Sequence, residues 1–542
     1  MPALARCPGQ IVEVAKRFCY VRSRVSALPP RVQPIPGVHS MPYFSSGSIW
    51  CASALVMLVC VCESTICWVE ADERERNYAA TERYYQSILN VNRPESPNLA
   101  ALTQFFSLMP KGGDLHHHYS GAIYAETFLD WVAAEGHWIH RQSLKIEIVK
   151  TRYSLTVAQL RANDALYRKL LSTWSDKDFD DYYHEERPPD AQFFSTFAYF
   201  GPLASRHIPA GLRTLKQRAL EQNVQYLETM LASVEYARSD AEVDAQLWAL
   251  QKQKSEASIR EALATFARKI DADPKFVQTV KAFVKKITAD HRGLDDQRFT
   301  MRYQTYVYRD MAPSLVFASL YAGFLAANES ELLVGVNIVG PENGVIALRD
   351  YWLHMQMFQW LRAKFPRVRI AMHAGELTLG MVRPEELTFH IRDAIQIAGA
   401  RRIGHGVDIM HEANSLELLQ EMKNKRIAVE INLTSNEFIL GVSGAAHPVT
   451  IYLRHGVPLV ISTDDPGVSR NDLASQYTLL AARYGVSYAG IKDLVTNSIR
   501  YSFLDERLRQ RHVAELKQRF ATFESKVQKF TEGAEGGEGA AK

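Results

Sequence analysis

The chain has 542 residues, 47% of them apolar and 23% charged, values that exclude a disordered, collagen-like or coiled-coil protein. Its formal charge is +3, with Lys and Arg spread along the length, so no nucleic-acid footprint is indicated and a small neutral or anionic ligand stays open. Length alone allows three or four average domains, or one α/β barrel with extra segments.

The six cysteines, Cys7, Cys19, Cys51, Cys60, Cys62 and Cys67, all lie near the N-terminus. The rest of the chain has no thiolate for a zinc finger, an iron–sulfur cluster or a cysteine nucleophile, so a metal there must sit on nitrogen and oxygen. From Ile49 to Val61 the text IWCASALVMLVCV is nearly all apolar, too short to span a bilayer comfortably and of the length of a signal-peptide apolar region. Val69-Glu70-Ala71 offers small residues where a signal peptidase reads. The expectation is that residues 1–71 are a signal or targeting segment cut after Ala71, giving an exported, periplasmic or extracellular protein without cysteine and without a membrane span. No Lys or Arg lies between Met41 and Ile49, so Met41 as the true start and a long basic segment through Arg22, Arg24 and Arg31 both stay open. A buried helix of an N-terminal domain is the alternative. Val59 stands where a lipid-anchored Cys60 would need a small residue.

After an N-terminal helical segment over 72–108, eight short apolar or β-branched runs follow, bounded by turn residues. They are Gly113 to His118, Val224 to Leu231, Phe299 to Arg309, Leu332 to Val339, Val368 to His373, Arg402 to Ile409, Ile427 to Asn432 and Val457 to Thr463. Amphipathic stretches such as Pro384 to Ala398 and Ser415 to Lys425 fill most gaps, so the alternation predicts a TIM-type (β/α)8 barrel over 109–530. The long gap over 119–223 predicts a helical insertion above the barrel mouth. Thr531 to Lys542, TEGAEGGEGAAK, has nothing to bury and predicts a disordered tail.

Several runs end in His or Asp, at the strand ends where barrels carry their chemistry. Run one ends Asp114-Leu115-His116-His117-His118; with a period of two, His116 and His118 share a face and His117 points away. Run five ends His373-Ala374-Gly375-Glu376, run six carries Gly404-His405-Gly406, and run eight ends Ser462-Thr463-Asp464-Asp465-Pro466. Each piece alone is commonplace: a lone histidine is usually a hydrogen-bonded core residue, and a DD pair is usually a turn or cap. Together, three His and one Asp on strand ends suit a borderline metal such as zinc.

These motifs resemble the adenosine deaminase family of zinc-dependent hydrolases: MPKGGDLHHHYSGAI (Met109 to Ile123), NIVGPE (Asn337 to Glu342), HAGE (His373 to Glu376), RIGHGVDI (Arg402 to Ile409), NLTSN (Asn432 to Asn436) and VISTDDPGV (Val460 to Val468), in family order. The MPKGG lead-in and the apolar leader are most similar to the secreted growth-factor-related branch and its bacterial relatives, although that branch's disulfide cannot form in a cysteine-free mature region. The resemblance implies hydrolytic deamination of adenosine, and of deoxyadenosine, to inosine and ammonia with one zinc per chain. It makes His116, His118, His373 and Asp464 the ligands, Glu376 the proton donor to purine N1, His405 the group that orients and deprotonates the water, and Asp465 the partner of N7. Gly340 supplies a backbone N–H to N3. Zinc lowers the pKa of a bound water to about 7, and attack at C6 needs N1 protonated, so the implied roles agree with the chemistry.

One departure bears on substrate. Where the nucleoside enzymes commonly read HxHLDG, this chain has Tyr119-Ser120-Gly121 after its HxH, and Ser120 has a shorter reach and no charge with which to hold a ribose hydroxyl. The insertion is then expected to supply the missing contact. Deamination of adenine or a modified adenosine, and a secreted signalling role on the same barrel, are the rivals. A cytidine-type deaminase is excluded by the lack of a PCxxC pair, and a two-metal barrel by the lack of a lysine from Leu332 to Gly340. The expected partner is a small purine nucleoside, without nucleic acid or membrane, and a homodimer stays open.

Overall fold

A computed structural model describes residues 71–177, 179 and 187–538. The expected leader and its cleavage site at Ala71 fall at or before the first described residue. No helix among the described residues is long and apolar enough to cross a membrane.

All eight predicted runs form strands: β1 Gly112–His118, β2 Val224–Ala232, β3 Thr300–Tyr308, β4 Leu333–Val339, β5 Ala371–Ala374, β6 Arg402–His405, β7 Ala428–Ile431 and β8 Leu459–Ile461. They pair in parallel in two four-stranded halves, β1 to β4 and β5 to β8 in consecutive order. Parallel bridges Val336 to Ile370 and His117 to Asp464 join the halves on both sides, so the sheet closes into a barrel. Both faces of such a sheet are covered, which is why the strands read as nearly continuous buried runs. The sixth run is shorter as a strand than its apolar text: His405 and Gly406 take left-handed backbone angles (φ 68° and 58°), and Val407–Met410 continues as a 3₁₀ turn.

The N-terminal segment is helical over 71–89 and again at Leu99–Leu108, where Asn98 caps the first turn through a bond from Ala101 N–H. These helices pack against the C-terminal helices through Tyr85, Phe105, Phe106, Tyr488 and Phe523, whose rings meet at 5.1–6.1 Å. Each such ring contributes about 1.5–3 kcal/mol by leaving water.

Three expectations need correction. The segment from Thr531 is not a disordered tail over its described part, because the last helix runs Glu506–Glu538; it extends, despite its glycines, a helix already anchored by Leu516, Phe520 and Phe523. The insertion is not wholly helical, since Trp138–His140 pairs antiparallel with both Ile146–Glu147 and Ser154–Leu155. It is also shorter than 119–223: Ile208–Glu221 packs on β2 as the barrel's own crossover helix, so the inserted text ends near His207. What remains includes helices Ala125–Ala134, Asp164–Thr173 and Pro189–Ala204.

Candidate active site

The strand ends bring the predicted residues to one place. His116 and His118 leave β1 on the same face, His373 ends β5, and Asp464 lies three residues past β8 with a left-handed φ of 64°. One ligand atom from each lies within 4.8 Å of every other. Asp464 Oδ1 stands 3.4 Å from His116 Nε2 and 3.3 Å from His118 Nε2, and the Nε2 atoms of His118 and His373 are 3.2 Å apart. A non-glycine residue in the left-handed region costs about 1–3 kcal/mol, and both Asp464 and His405 are held there at the barrel mouth.

The residues fit a metal ion. His116 Nε2 is buried without a hydrogen-bond partner, while its Nδ1 is 2.7 Å from Glu430 Oε2, which fixes the ring with Nε2 directed at the cluster. His373 is fixed in the same way by Asn337 Oδ1, 3.0 Å from its Nδ1. Burial disfavours charge on all three rings and holds His118 and His373 below the ordinary imidazole range, His373 by far the more; at His116 burial is outweighed by Asp464 and Glu430, which lift it to about 10. Three imidazoles and one carboxylate are a zinc-type donor set.

The orienting groups behind the ligands are joined. Arg402 Nε donates to Glu430, and its Nη2 donates to Glu228. Gln304 Nε2 donates to Glu228 Oε1 at 2.9 Å, and Asn337 Nδ2 donates to Gln304 Oε1 at 3.0 Å. The chain from His116 to His373 thus crosses the barrel interior through β7, β6, β2, β3 and β4. Glu430→Gln should weaken metal retention about 10–100-fold while leaving a folded barrel, measured by competition with a chelator. Unchanged retention would remove Glu430 as an orienting group.

Around the ligands stand Glu376, His405 and Asp465. Glu376 Oε1 is 3.6 Å from His405 Nδ1, and His405 Nε2 is 3.9 Å from Asp464 Oδ2. Burial, then the charges of Asp464 and Glu342, push Glu376 well above the usual carboxylate range. Its neighbour Glu342 goes the other way: burial is outweighed by Arg309 and His390, which hold it at about 2. Glu342 accepts from the backbone N–H of Gly375 (3.1 Å) and Glu376 (2.8 Å), so it fixes the turn that carries the acid. Two nearby carboxyls with pKa values pushed apart make one a proton donor and the other an anchor.

Asp465 is raised as well, by burial and then by Asp464, and its Oδ1 is buried without a partner. A Cβ at Gly121 would fall 1.5 Å from that Oδ1, so only glycine lets the carboxyl approach β1. Gly340 has a φ of 97°, which turns the backbone after β4 into the site.

His405 is neutral, its pKa held at about 3 by burial. Val449 N–H donates to His447 Nδ1 (3.1 Å), His447 Nε2 faces Asn436 Oδ1 (3.1 Å), and Asn436 Nδ2 meets His405 Nδ1 (2.9 Å). This order leaves the His405 proton on Nε2, facing the ligand cluster.

The site residues share a cavity of about 340 Å³, which includes His118, Ser120, Gly340, Glu376, Asp464 and Asp465 in its wall. Phe193, Phe194 and Phe197 close it from the insertion, and Tyr306, Tyr308 and Asp310 from the end of β3. Asn343 Nδ2 donates to Asp190 Oδ2 (2.9 Å), tying the helix of those phenylalanines to the loop after β4. Among the described residues, no Lys or Arg lines this cavity. His117 faces the other way, its Nδ1 2.9 Å from Thr229 Oγ1.

Every predicted site residue is therefore at the site. The orienting residues Glu430, Asn337, Glu342 and Asn436 carried no assigned role, though a lone acid inside the apolar run AVEI was a usable signal for Glu430. The phenylalanines lay in an insertion without a motif.

A parallel barrel with a nitrogen-and-oxygen ligand set at the C-terminal ends of its strands is the class that fold and site define. Residues 213–519, more than half of the chain, match the adenosine deaminase family, and the chain belongs to it. It is similar to the adenosine deaminase of Yersinia pseudotuberculosis serotype IB (strain PB1/+), 36% identical over 150 residues, 28% of this chain and 42% of that protein. The adenosine deaminase of Escherichia coli (strain SMS-3-5 / SECEC) is 37% identical over 144 residues, 26% of this chain and 40% of that protein. The chain thus matches less than half the length of these curated relatives. Among solved structures, the apo N6-methyl-AMP deaminase from Arabidopsis thaliana aligns with a TM-score of 0.50 at 18% identity over 77% of this chain and 98% of that one. The Arabidopsis ADAL–IMP complex gives 0.51 at 18% over 78% and 99%. At that identity the likeness is one of fold.

Proposed function

We propose that the protein is a hydrolytic deaminase that converts adenosine, and deoxyadenosine, to inosine and ammonia with one zinc per chain. The observation that carries this reading is the single cavity in which a buried, proton-holding Glu376 stands beside a three-histidine, one-aspartate ligand set. A zinc ion held by His116, His118, His373 and Asp464 would supply an activated water at neutral pH. Glu376, kept protonated by its surroundings, donates to purine N1 and so prevents negative charge from building on the ring as C6 is attacked. Asp465, also protonated and with a free buried oxygen, holds N7, and Gly340 N–H meets N3. His405, with its proton on Nε2, orients the attacking oxygen; that hydrogen-bond order supports the orienting half of its expected role and leaves proton acceptance to another group.

Two features of the wall bear on substrate. Among the described residues the wall has no Lys or Arg to pair with a 5′-monophosphate. Phe193, Phe194 and Phe197 give the sugar end an aromatic wall in place of the charged contact that Ser120 lacks. In side-by-side kcat/KM measurements, adenosine and deoxyadenosine should exceed adenine and AMP by about tenfold or more, and Phe197→Ala should raise KM more than it lowers kcat, because a contact remote from C6 acts as uniform binding. A preference for adenine would make Ser120 the mark of a base-specific pocket, and a preference for AMP would defeat the nucleoside reading.

The apolar stretch Ile49 to Val61 supports export with cleavage after Ala71. N-terminal sequencing from the native host should begin at Asp72; Cys60 and Cys62 in the mature chain would overturn it.

A further inference from the structure

At the opposite end of the barrel, below the N-terminal ends of β5 to β7, lies a second cavity of about 930 Å³. Arg362, Arg367, Arg369, Arg401, Arg426 and Arg500 line it, and among the described residues none of these six forms an ion pair. Lys425 and Arg509 line it too, paired with Glu421 and Glu506. Among the described residues, no Asp or Glu is in the wall.

Helix ends account for part of this charge. The helices Val345–Lys364, Ser415–Lys425 and Tyr488–Arg500 finish here, and basic residues in a last turn offset the negative helix terminus, worth roughly half a charge each. That explanation suits Arg362, Lys425 and Arg500. It suits Arg426 as well, the C-cap of its helix, but not Arg367, Arg369 or Arg401, which lie on the segments leading into the strands. Arg426 caps its helix with a left-handed φ of 54°, which holds it at the cavity rim. Arg509 Nε is buried without a hydrogen-bond partner, and burial, with Arg509 nearby, lowers the Arg369 pKa. The surplus left after paired acids and helix ends is about four positive charges.

We propose that this cavity binds a small polyphosphate, either inorganic or carried on a nucleoside, at a site separate from the deaminating one. Three contiguous phosphates carry about four negative charges near neutral pH, and their oxygens suit several guanidinium forks at once. The concave shape favours a small molecule over the backbone of a long nucleic acid. This inference is independent of which purine the other site deaminates.

Calorimetric titration of the intact protein with inorganic tripolyphosphate, and separately with ATP, tests it. Saturable binding is expected. The exposed pair Arg401→Glu/Arg426→Glu should weaken it by about tenfold or more, and the pair Arg401→Gln/Arg426→Gln by less. Lys281→Glu/Lys285→Glu, an equal charge change on the helix Pro274–Asp290 and outside the cavity wall, should stay within about twofold. Equal affinity for both probes assigns recognition to the phosphates alone, and tighter ATP binding adds a contact to the nucleoside. No saturable binding of either probe, binding indifferent to Arg401 and Arg426, or an equal loss in the Lys281/Lys285 variant would overturn the proposal. Thermal melting of each variant confirms that the charge reversals leave it folded.

Discussion

Glu376→Gln should keep its metal, bind a purine nucleoside with nearly unchanged affinity, and lose about 10²- to 10⁴-fold in kcat. The size of the effect follows from the surroundings of the carboxyl. Burial first, and then the charges of Asp464 and Glu342, make its ionisation costly and favour the protonated form. Gln fills the same space and donates a hydrogen bond but has no proton to transfer to N1. Because Glu376 lies outside the three-histidine, one-aspartate set, metal content separates this loss from collapse of that set. A variant retaining more than about a tenth of the parent kcat would take the acid role away from Glu376.

His118→Ala should lose the metal, and with it all measurable turnover. His118 Nε2 stands 3.2 Å from His373 Nε2 and 3.3 Å from Asp464 Oδ1, so the substitution removes one of the four donors of the set. The adjacent residue is the control: His117→Ala should keep metal and turnover, since His117 points to Thr229 on the outer face of β1. Its cost should appear as lower stability, about 1–3 kcal/mol for the buried Thr229 hydroxyl left with one partner fewer. Metal analysis and melting of both proteins test the pair, and equal metal content in the two would contradict the ligand assignment.

How much of this was legible in the sequence depends on whether the signal was local. The eight strands were, because a fully buried parallel strand must be apolar from end to end and its turn residues mark both ends. The cluster of His116, His118, His373 and Asp464 was, because each sits near a strand end where a polar residue breaks the apolar run. Boundaries were less so: nothing in Val407-Asp408-Ile409 distinguishes a strand from the 3₁₀ turn that His405 and Gly406 impose. The tail from Thr531 misled because its composition says only that it has no core to join, while the helix it extends is anchored by residues upstream. The orienting belt from Glu430 to Asn337 was hidden for another reason. Its members come from strands far apart in the chain, and only closure of the barrel brings Arg402 between Glu228 and Glu430. The phenylalanines at the cavity wall had the same fate, since an apolar face on an insertion helix looks like core until the cavity beside it is seen.

The central claim is metal-dependent hydrolysis at C6 of adenosine, and the direct measurement follows inosine and ammonia together. With zinc-loaded protein, the ultraviolet change from adenosine to inosine should match released ammonia one to one, disappear when a chelator strips the metal, and return on adding zinc back. Zinc-loaded, folded protein that leaves adenosine unchanged, or full turnover after the metal is gone, would contradict the account.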